Sequence, residues 1–202
     1  MYTLIGDLVG SRRLADRPGV QRRLSSVLDE VNAVVPAVQS LEPTVGDEYQ
    51  GGFDSLAKAC LAGLLVRLAM IEHVDVRCGL GVGEVTVHDP SRRPLLQDGP
   101  GWWAAREALE KLATPARSGA RTWYVGPDAW VQPFLLTRDA LVDRFSDRGR
   151  RMLRLALLGQ TQQQIAALEG ISASAVSQQF ARGIAAVRDA HAMLAENDPE
   201  ET

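Results

Sequence analysis

The chain changes its hydrophobic period once, and that change limits what it can fold into. Up to about residue 125, short strand-like runs alternate with helical stripes. From residue 137 onward only the helical spacing remains. The reading is therefore an α+β unit over residues 1–136 and a small all-α unit over 137–196, followed by an acidic tail at 197–202. The stretch from Gly126-Pro127 to Pro133 punctuates the chain between them.

In the first unit, Tyr2–Asp7 reads as a short buried strand. Pro18 to about Val35 reads as a helix with Val20, Leu24, Val27, Leu28, Val31 and Val34 on one face. Pro43–Gly46 and Glu48–Phe53 flank Asp47 as a tight hairpin. Asp54 or Ser55 caps a helix to about Ile71 that is apolar almost all round, as a helix buried on most sides would be. Val74–Val87 reads as one long strand whose glycines imply a bulge or a close backbone approach. Gln97–Gly101 is a loop, Trp102 to about Ala113 a helix, and Arg121–Val125 a final strand. This order suits an antiparallel or mixed sheet with helices on one face.

Two strand ends deliver an Asp. Asp7 follows an apolar run and leads into Gly10-Ser11; Asp47 follows Gly46 at the hairpin tip. Two carboxylates beside a Gly-Ser turn suit a divalent cation and a polyphosphate. Mg²⁺ is commonly held by one or two carboxylates plus phosphate oxygens, and backbone N–H groups of such a turn cradle phosphates. The plainer alternative is two Asp residues at ordinary turns. Arg12-Arg13 suits phosphate pairing or a solvated helix entry. Glu48 is a further metal ligand or, as strand alternation favours, points to the opposite face from Asp47. Trp102-Trp103 offers a stacking platform for a base, or one core ring and one dimer contact. Asp98 lies close by in sequence.

Composition narrows the class. The chain is 46% hydrophobic and 23% charged, the balance of a soluble globular protein. No apolar run is long enough for a bilayer, and no basic-then-apolar leader opens the chain. Cys60 and Cys78 sit among apolar residues, which fits reduced core thiols and a cytoplasmic location. His73, His88 and His191 lack metal-ligand spacing. Net charge is −3, yet residues 137–196 carry eight Arg against six acids, which permits nucleic-acid binding without demanding it.

The second unit reads as four helices: Asp139–Phe145, Asp147–Leu158 closed by Gly159, Gln162–Glu169, and Ala173 to about Leu194. Thr161 with Gln164 forms a capping box, Gly170 makes a tight turn, and Ser172 caps the last helix. Thr161 to Gln178 is thus a helix-turn-helix signature, with Ile165, Ala166 and Val176 between the helices. The alternative is a helical bundle used only for protein contact, because the last helix carries two Arg and no Lys.

These motifs resemble known families. Leu4–Leu14, Pro43–Phe53 and Val76–Val85 resemble class III nucleotidyl cyclases and their GGDEF-type relatives. Ile5-Gly6-Asp7-Leu8-Val9-Gly10-Ser11, Val45-Gly46-Asp47-Glu48-Tyr49-Gln50 and Gly99-Pro100-Gly101-Trp102-Trp103-Ala104-Ala105-Arg106 are more closely similar to the SatD family. Residues 161–178 resemble LuxR-type and sigma-factor-type helix-turn-helix segments.

The resemblance implies a ferredoxin-like cyclase sheet, Asp7 and Asp47 as Mg²⁺ ligands, and Gly10, Ser11, Arg12, Trp103 and Arg106 around a purine nucleotide. It also implies Ser174, Ser177, Gln178 and Arg182 in a DNA major groove, and a homodimer. Trp103, Glu107 and Pro43 stand where catalytic cyclases carry Asn, Arg and a base-choosing Lys. That departure favours a DNA-binding regulator with a degenerate nucleotide-binding domain and no membrane association. The alternative is an active, divergent nucleotidyl cyclase or other nucleotide-processing enzyme.

Overall fold

A computed structural model describes residues 1–114, 116 and 119–196. The acidic tail expected at 197–202 lies outside the described residues. Strand β1 (Tyr2–Leu8) is apolar on both sides, and the fold uses both. It lies at the centre of a five-stranded sheet with β2 (Gln39–Pro43), β3 (Glu48–Phe53), β4 (Val76–Val82) and β7 (Thr122–Val125), in the order β2-β3-β1-β4-β7. β1 pairs antiparallel with β3 and β4, while β4 and β7 run parallel.

Leu4 and Leu8 face helices α1 (Arg17–Asn32) and α2 (Leu56–Met70), whereas Ile5 packs with α3 (Pro100–Leu112). Helices therefore cover both faces, not one. The correction has a simple cause: a strand with apolar residues at successive positions must be buried on two sides.

β4 repeats the division. Val76, Cys78 and Leu80 join the core beneath α1 and α2, and Gly79 and Gly81 lie directly under the α3 backbone. The close approach expected from the glycines is thus a helix lying on the strand. The expected single strand Val74–Val87 is two strands. After Val82 the chain turns, and β5 (Thr86–Asp89) pairs with β6 (Leu96–Asp98), where a loop was expected.

Helix α2 explains its own composition. One side packs on the sheet; the other contributes Leu64 and Leu68 to a second core with Val142, Met152, Leu153, Ile165, Val176, Phe180 and Ile184. Cys60 and Cys78 are buried core thiols, as expected. Burial pushes the Cys78 thiol up to about 12, against a hydrogen bond with Tyr49 Oη at 3.2 Å.

The helices after the sheet are α4 (Val131–Arg144), α5 (Asp147–Leu157), α6 (Gln162–Glu169), α7 (Ala173–Gln179) and α8 (Ala185–Glu196). α4 is longer than the expected Asp139–Phe145 and runs through residues 136 and 137. Pro133 does not interrupt it, because it lies in the first turn, where no intrahelical N–H bond is lost.

The caps form as their chemistry dictates. Ser146 accepts from Gly149, Thr161 and Gln164 satisfy each other's backbone N–H groups, and Ser172 accepts from Ala175. The expected continuous helix from Ala173 to Leu194 is broken at Gly183. Its φ of 132° is open only to glycine, and a β-carbon there would lie 3.3 Å from the Phe145 ring.

His191 on α8 is buried, edge-on to Phe134, with neither ring nitrogen bonded. Burial, and then the nearby Arg138 charge, push its pKa down to about 3. The folded state therefore refuses a proton that the unfolded chain accepts below pH ~6.5, and stability falls as pH drops from there. The loss reaches about 2 kcal/mol at pH 5. His191→Phe should flatten this limb of the stability curve, measured as urea midpoints between pH 7 and 5. An unchanged slope would show that His191 does not carry it.

Candidate functional site at the end of the sheet

Sheet register assembles the site. Asp7 lies opposite Glu48 on one side and opposite Arg77 on the other. Thr3, whose hydroxyl donates to the Gly101 carbonyl, and Ile5 face α3, so alternation turns Asp7 to the same side. Glu48 shares this face. Tyr49, the next residue, takes the core side of β3.

Two Arg–carboxylate forks occupy the face. Arg77 Nε donates to Asp7 Oδ1 at 3.0 Å and Arg77 Nη2 to Asp7 Oδ2 at 2.5 Å. Arg106, from α3, donates to both oxygens of Glu48 at 2.8 Å. The Glu48 bond holds the Arg106 pKa above its ordinary value, against partial burial. Both pairs have the bidentate geometry that makes charge-assisted bonds strong and orientation-specific.

A cleft of about 360 Å³ opens between α3 and the β5–β6 hairpin. Ile5, Thr44, Gln50, Gln97, Trp102, Trp103 and Arg106 line it. The tryptophans divide their roles: Trp102 is buried against Ile5, and Trp103 is exposed. The Trp103 indole is tethered, its Nε1 donating to Asp98 Oδ1 at 2.6 Å. Asp98 is held below its usual pKa by the Gly99 N–H and then by this indole.

Other expected site residues do not line the cleft. Gly10 has φ 69° and opens a short 3-10 turn, Ser11–Arg13, with Ser11 buried and Arg12 and Arg13 exposed. Asp47 sits half-exposed in the turn before β3. The structure therefore brings Trp103 and Arg106 to one cleft, but not Gly10, Ser11, Arg12, Asp7 or Asp47.

Arg77 was missed as the partner of Asp7. The available signal was one charge in the otherwise apolar and glycine-rich β4; its partner depends on register.

The expected Mg²⁺ meets a specific obstacle at this site. Both Asp7 oxygens already accept from a guanidinium, so the residues as arranged do not fit a resident cation. Among the described residues, no three His, Cys, Asp or Glu groups gather to hold one.

On the far side of the molecule, Ser174, Ser177 and Gln178 are exposed at i, i+3 and i+4, on one face of α7, and Arg182 is exposed just beyond. Arg188 is engaged, with its guanidinium over the Phe180 ring and bonded to Asp189.

These features define an α+β protein with a two-sided mixed sheet, a charged strand-end site and an appended helical unit. The chain belongs to the SatD family, whose sequence profile matches residues 1–121. That match ends just before β7, leaving the helical unit outside it.

Among curated proteins, none matches the chain in sequence. Two solved structures of a bacterial light-regulated adenylyl cyclase are similar in backbone. One has a TM-score of 0.48 at 11% identity, covering 60% of this chain and 41% of that one. The other has a TM-score of 0.47 at 11% identity, covering 60% of this chain and 72% of that one. The cyclase activity is that of those proteins. No described helix is long and apolar enough to cross a membrane.

Proposed function

We propose that this SatD-family protein is a DNA-binding transcriptional regulator whose sheet domain binds a purine nucleotide. One observation carries the reading. α7 presents Ser174, Ser177 and Gln178 to solvent, with Arg182 exposed just beyond it, on a unit whose other side packs with α2 through Ile165, Val176, Leu64 and Leu68. Gln and Arg are the side chains that pair bidentately with adenine and guanine edges. A firm backing holds a reading helix in one orientation, which base-edge contacts require.

The nucleotide part rests on the cleft. Trp103 offers an exposed, tethered ring for stacking, and Arg106 offers a positioned cation. Trp103, Glu107 and Pro43 supply none of the donors expected of a catalytic cyclase, which supports binding without turnover. A homodimer presenting two α7 helices would double the modest charge each subunit brings to DNA.

Arg182→Ala should weaken binding to a selected DNA site by about 1–3 kcal/mol while leaving nucleotide binding intact. Fluorescence anisotropy at fixed salt measures the first, and calorimetry with purine nucleotides the second. If the intact protein ignores DNA at low salt, or Arg182→Ala binds as wild type, the regulator reading fails. Steady release of a cyclic nucleotide would promote the enzyme reading in its place.

A further inference from the structure

We infer that Arg77 takes the place of a divalent cation at Asp7. A phosphate-bearing ligand at this end of the sheet is then held by guanidinium groups without a metal; this second clause rests on the nucleotide reading above.

The argument starts from register. Arg77 is the β4 residue directly opposite Asp7, so the backbone of two central strands fixes the fork in place. Neither partner is well exposed: the side chains are 21% and 16% accessible for Arg77 and Asp7. Water competes weakly for such a pair. Arg77 Nη1 also reaches toward the Leu112 carbonyl at 3.5 Å, which ties the same guanidinium to the end of α3.

Mg²⁺ binds through carboxylate oxygens in near-octahedral geometry. At Asp7 it would have to displace two charge-assisted bonds and leave a guanidinium without its counter-ion. Glu48 offers no substitute, because Arg106 holds both of its oxygens. The four charges on this face cancel in two pairs. An incoming phosphate is thus spared the repulsion that uncompensated carboxylates would exert. Arg12 and Arg13 stand exposed in the 3-10 turn that follows β1.

The test titrates the full-length protein with Mn²⁺ alone, followed by electron paramagnetic resonance, so no nucleotide is needed. Asp7→Asn should leave wild-type Mn²⁺ binding unchanged. Arg77→Gln should tighten Mn²⁺ binding by about tenfold or more, since charge-assisted hydrogen bonds exceed the increment that a factor of ten requires. Adding Asp7→Asn to Arg77→Gln should remove that gain.

Wild-type Mn²⁺ binding that depends on Asp7, or a folded Arg77→Gln protein that gains none, overturns the inference. If Arg77→Gln does not fold, the comparison of wild type with Asp7→Asn decides alone. A separate arm measures purine nucleotide binding in EDTA and in Mg²⁺, where equal affinities are expected. Loss in EDTA overturns the metal-free clause. Absence of binding in both ends the nucleotide reading and leaves the Mn²⁺ result to decide the role of Arg77.

Discussion

Gly79→Val is expected to abolish stable folding, and Gly81→Val to do nearly as much. A β-carbon at Gly79 would lie 2.2 Å from the Ala105 carbonyl oxygen and 2.5 Å from the Leu109 nitrogen. At Gly81 it would lie 2.4 Å from the Ala105 nitrogen and 2.5 Å from the Gly101 oxygen. These obstacles are helix backbone, which cannot rotate away as a side chain does. α3 would have to lift off β4 along its length, taking Trp102, Ala105 and Leu109 out of their core with Ile5 and Trp123.

Overpacking costs about 1–3 kcal/mol when side chains can adjust, and more when they cannot. A typical domain has only about 5–15 kcal/mol in total. The measurement is the urea midpoint, or the soluble fraction if the protein does not fold. Gly119→Ala is the control. Among the described residues nothing lies within 4 Å of its β-carbon position, and the change should stay within about 0.5 kcal/mol. A Gly79→Val protein with wild-type stability would mean that α3 does not lie on β4 as described.

The sequence reveals features whose chemistry is local and hides those that depend on distant partners. The Thr161–Gln164 capping box, the Ser172 cap and the buried character of α2 were all legible, because each is set within a few residues. The hairpin around Asp47 was legible from Gly46-Asp47, but its first strand is Gln39–Pro43, not the expected Pro43–Gly46, because Val45 and Gly46 belong to the turn.

The two-sided burial of the sheet was available but unread. Leu4 and Ile5 are both apolar at successive positions of one strand, which already demands cover on both faces. Register was not available. Nothing near Arg77 in sequence announces Asp7 across the strand pair, and nothing near Glu48 announces Arg106 from α3. The candidate site was therefore half legible: its carboxylates and Arg106 were visible, and Arg77 and the pairing of each carboxylate with its guanidinium were not. Gly183 was misread for a related reason. A lone glycine in a helical pattern is ordinarily tolerated; only the Phe145 ring beside it shows that the chain bends there.

The largest electrostatic effect is expected at Arg67, which joins the sheet to the helical unit. Its side chain is 2% exposed. Nε donates to Asp75 Oδ1 at 2.9 Å, Nη2 donates to Asp143 Oδ1 at 2.5 Å, and Asp139 lies 3.9 Å away. These hydrogen bonds, and then the Asp75 and Asp139 charges, hold its pKa above the ordinary value despite burial.

Asp75 stands just before β4 and also accepts from Arg121 at 2.5 Å, while its backbone carbonyl takes the Val9 N–H at 2.8 Å. Asp143 belongs to α4, and its backbone carbonyl accepts from Arg150 of α5 at 3.2 Å. One buried cation thus ties the β1 turn, the start of β4, α2, α4 and α5. Arg67→Ala would leave Asp75 with Arg121 and the Val76 N–H, and a buried void beside it. Asp143 is 39% exposed and would recover water, which limits its share of the loss.

Removing one partner of a buried pair typically costs about 3–5 kcal/mol, and Arg67→Ala is expected in that range by urea denaturation. Arg151→Ala is the contrast. Its bond to Glu72 also links the two units, and it bonds Glu169 within the helical unit, but Arg151 is 45% exposed, so the loss should be under about 1 kcal/mol. Acid should narrow the gap between wild type and Arg67→Ala. The Asp75 pKa is lowered in the folded state, through Arg67 and then Arg121. Its contribution is present above the unfolded carboxylate range and is lost as pH falls through the folded value. Equal losses for Arg67→Ala and Arg151→Ala at neutral pH would show that surface pairs, not this buried cation, hold the helical unit on the sheet.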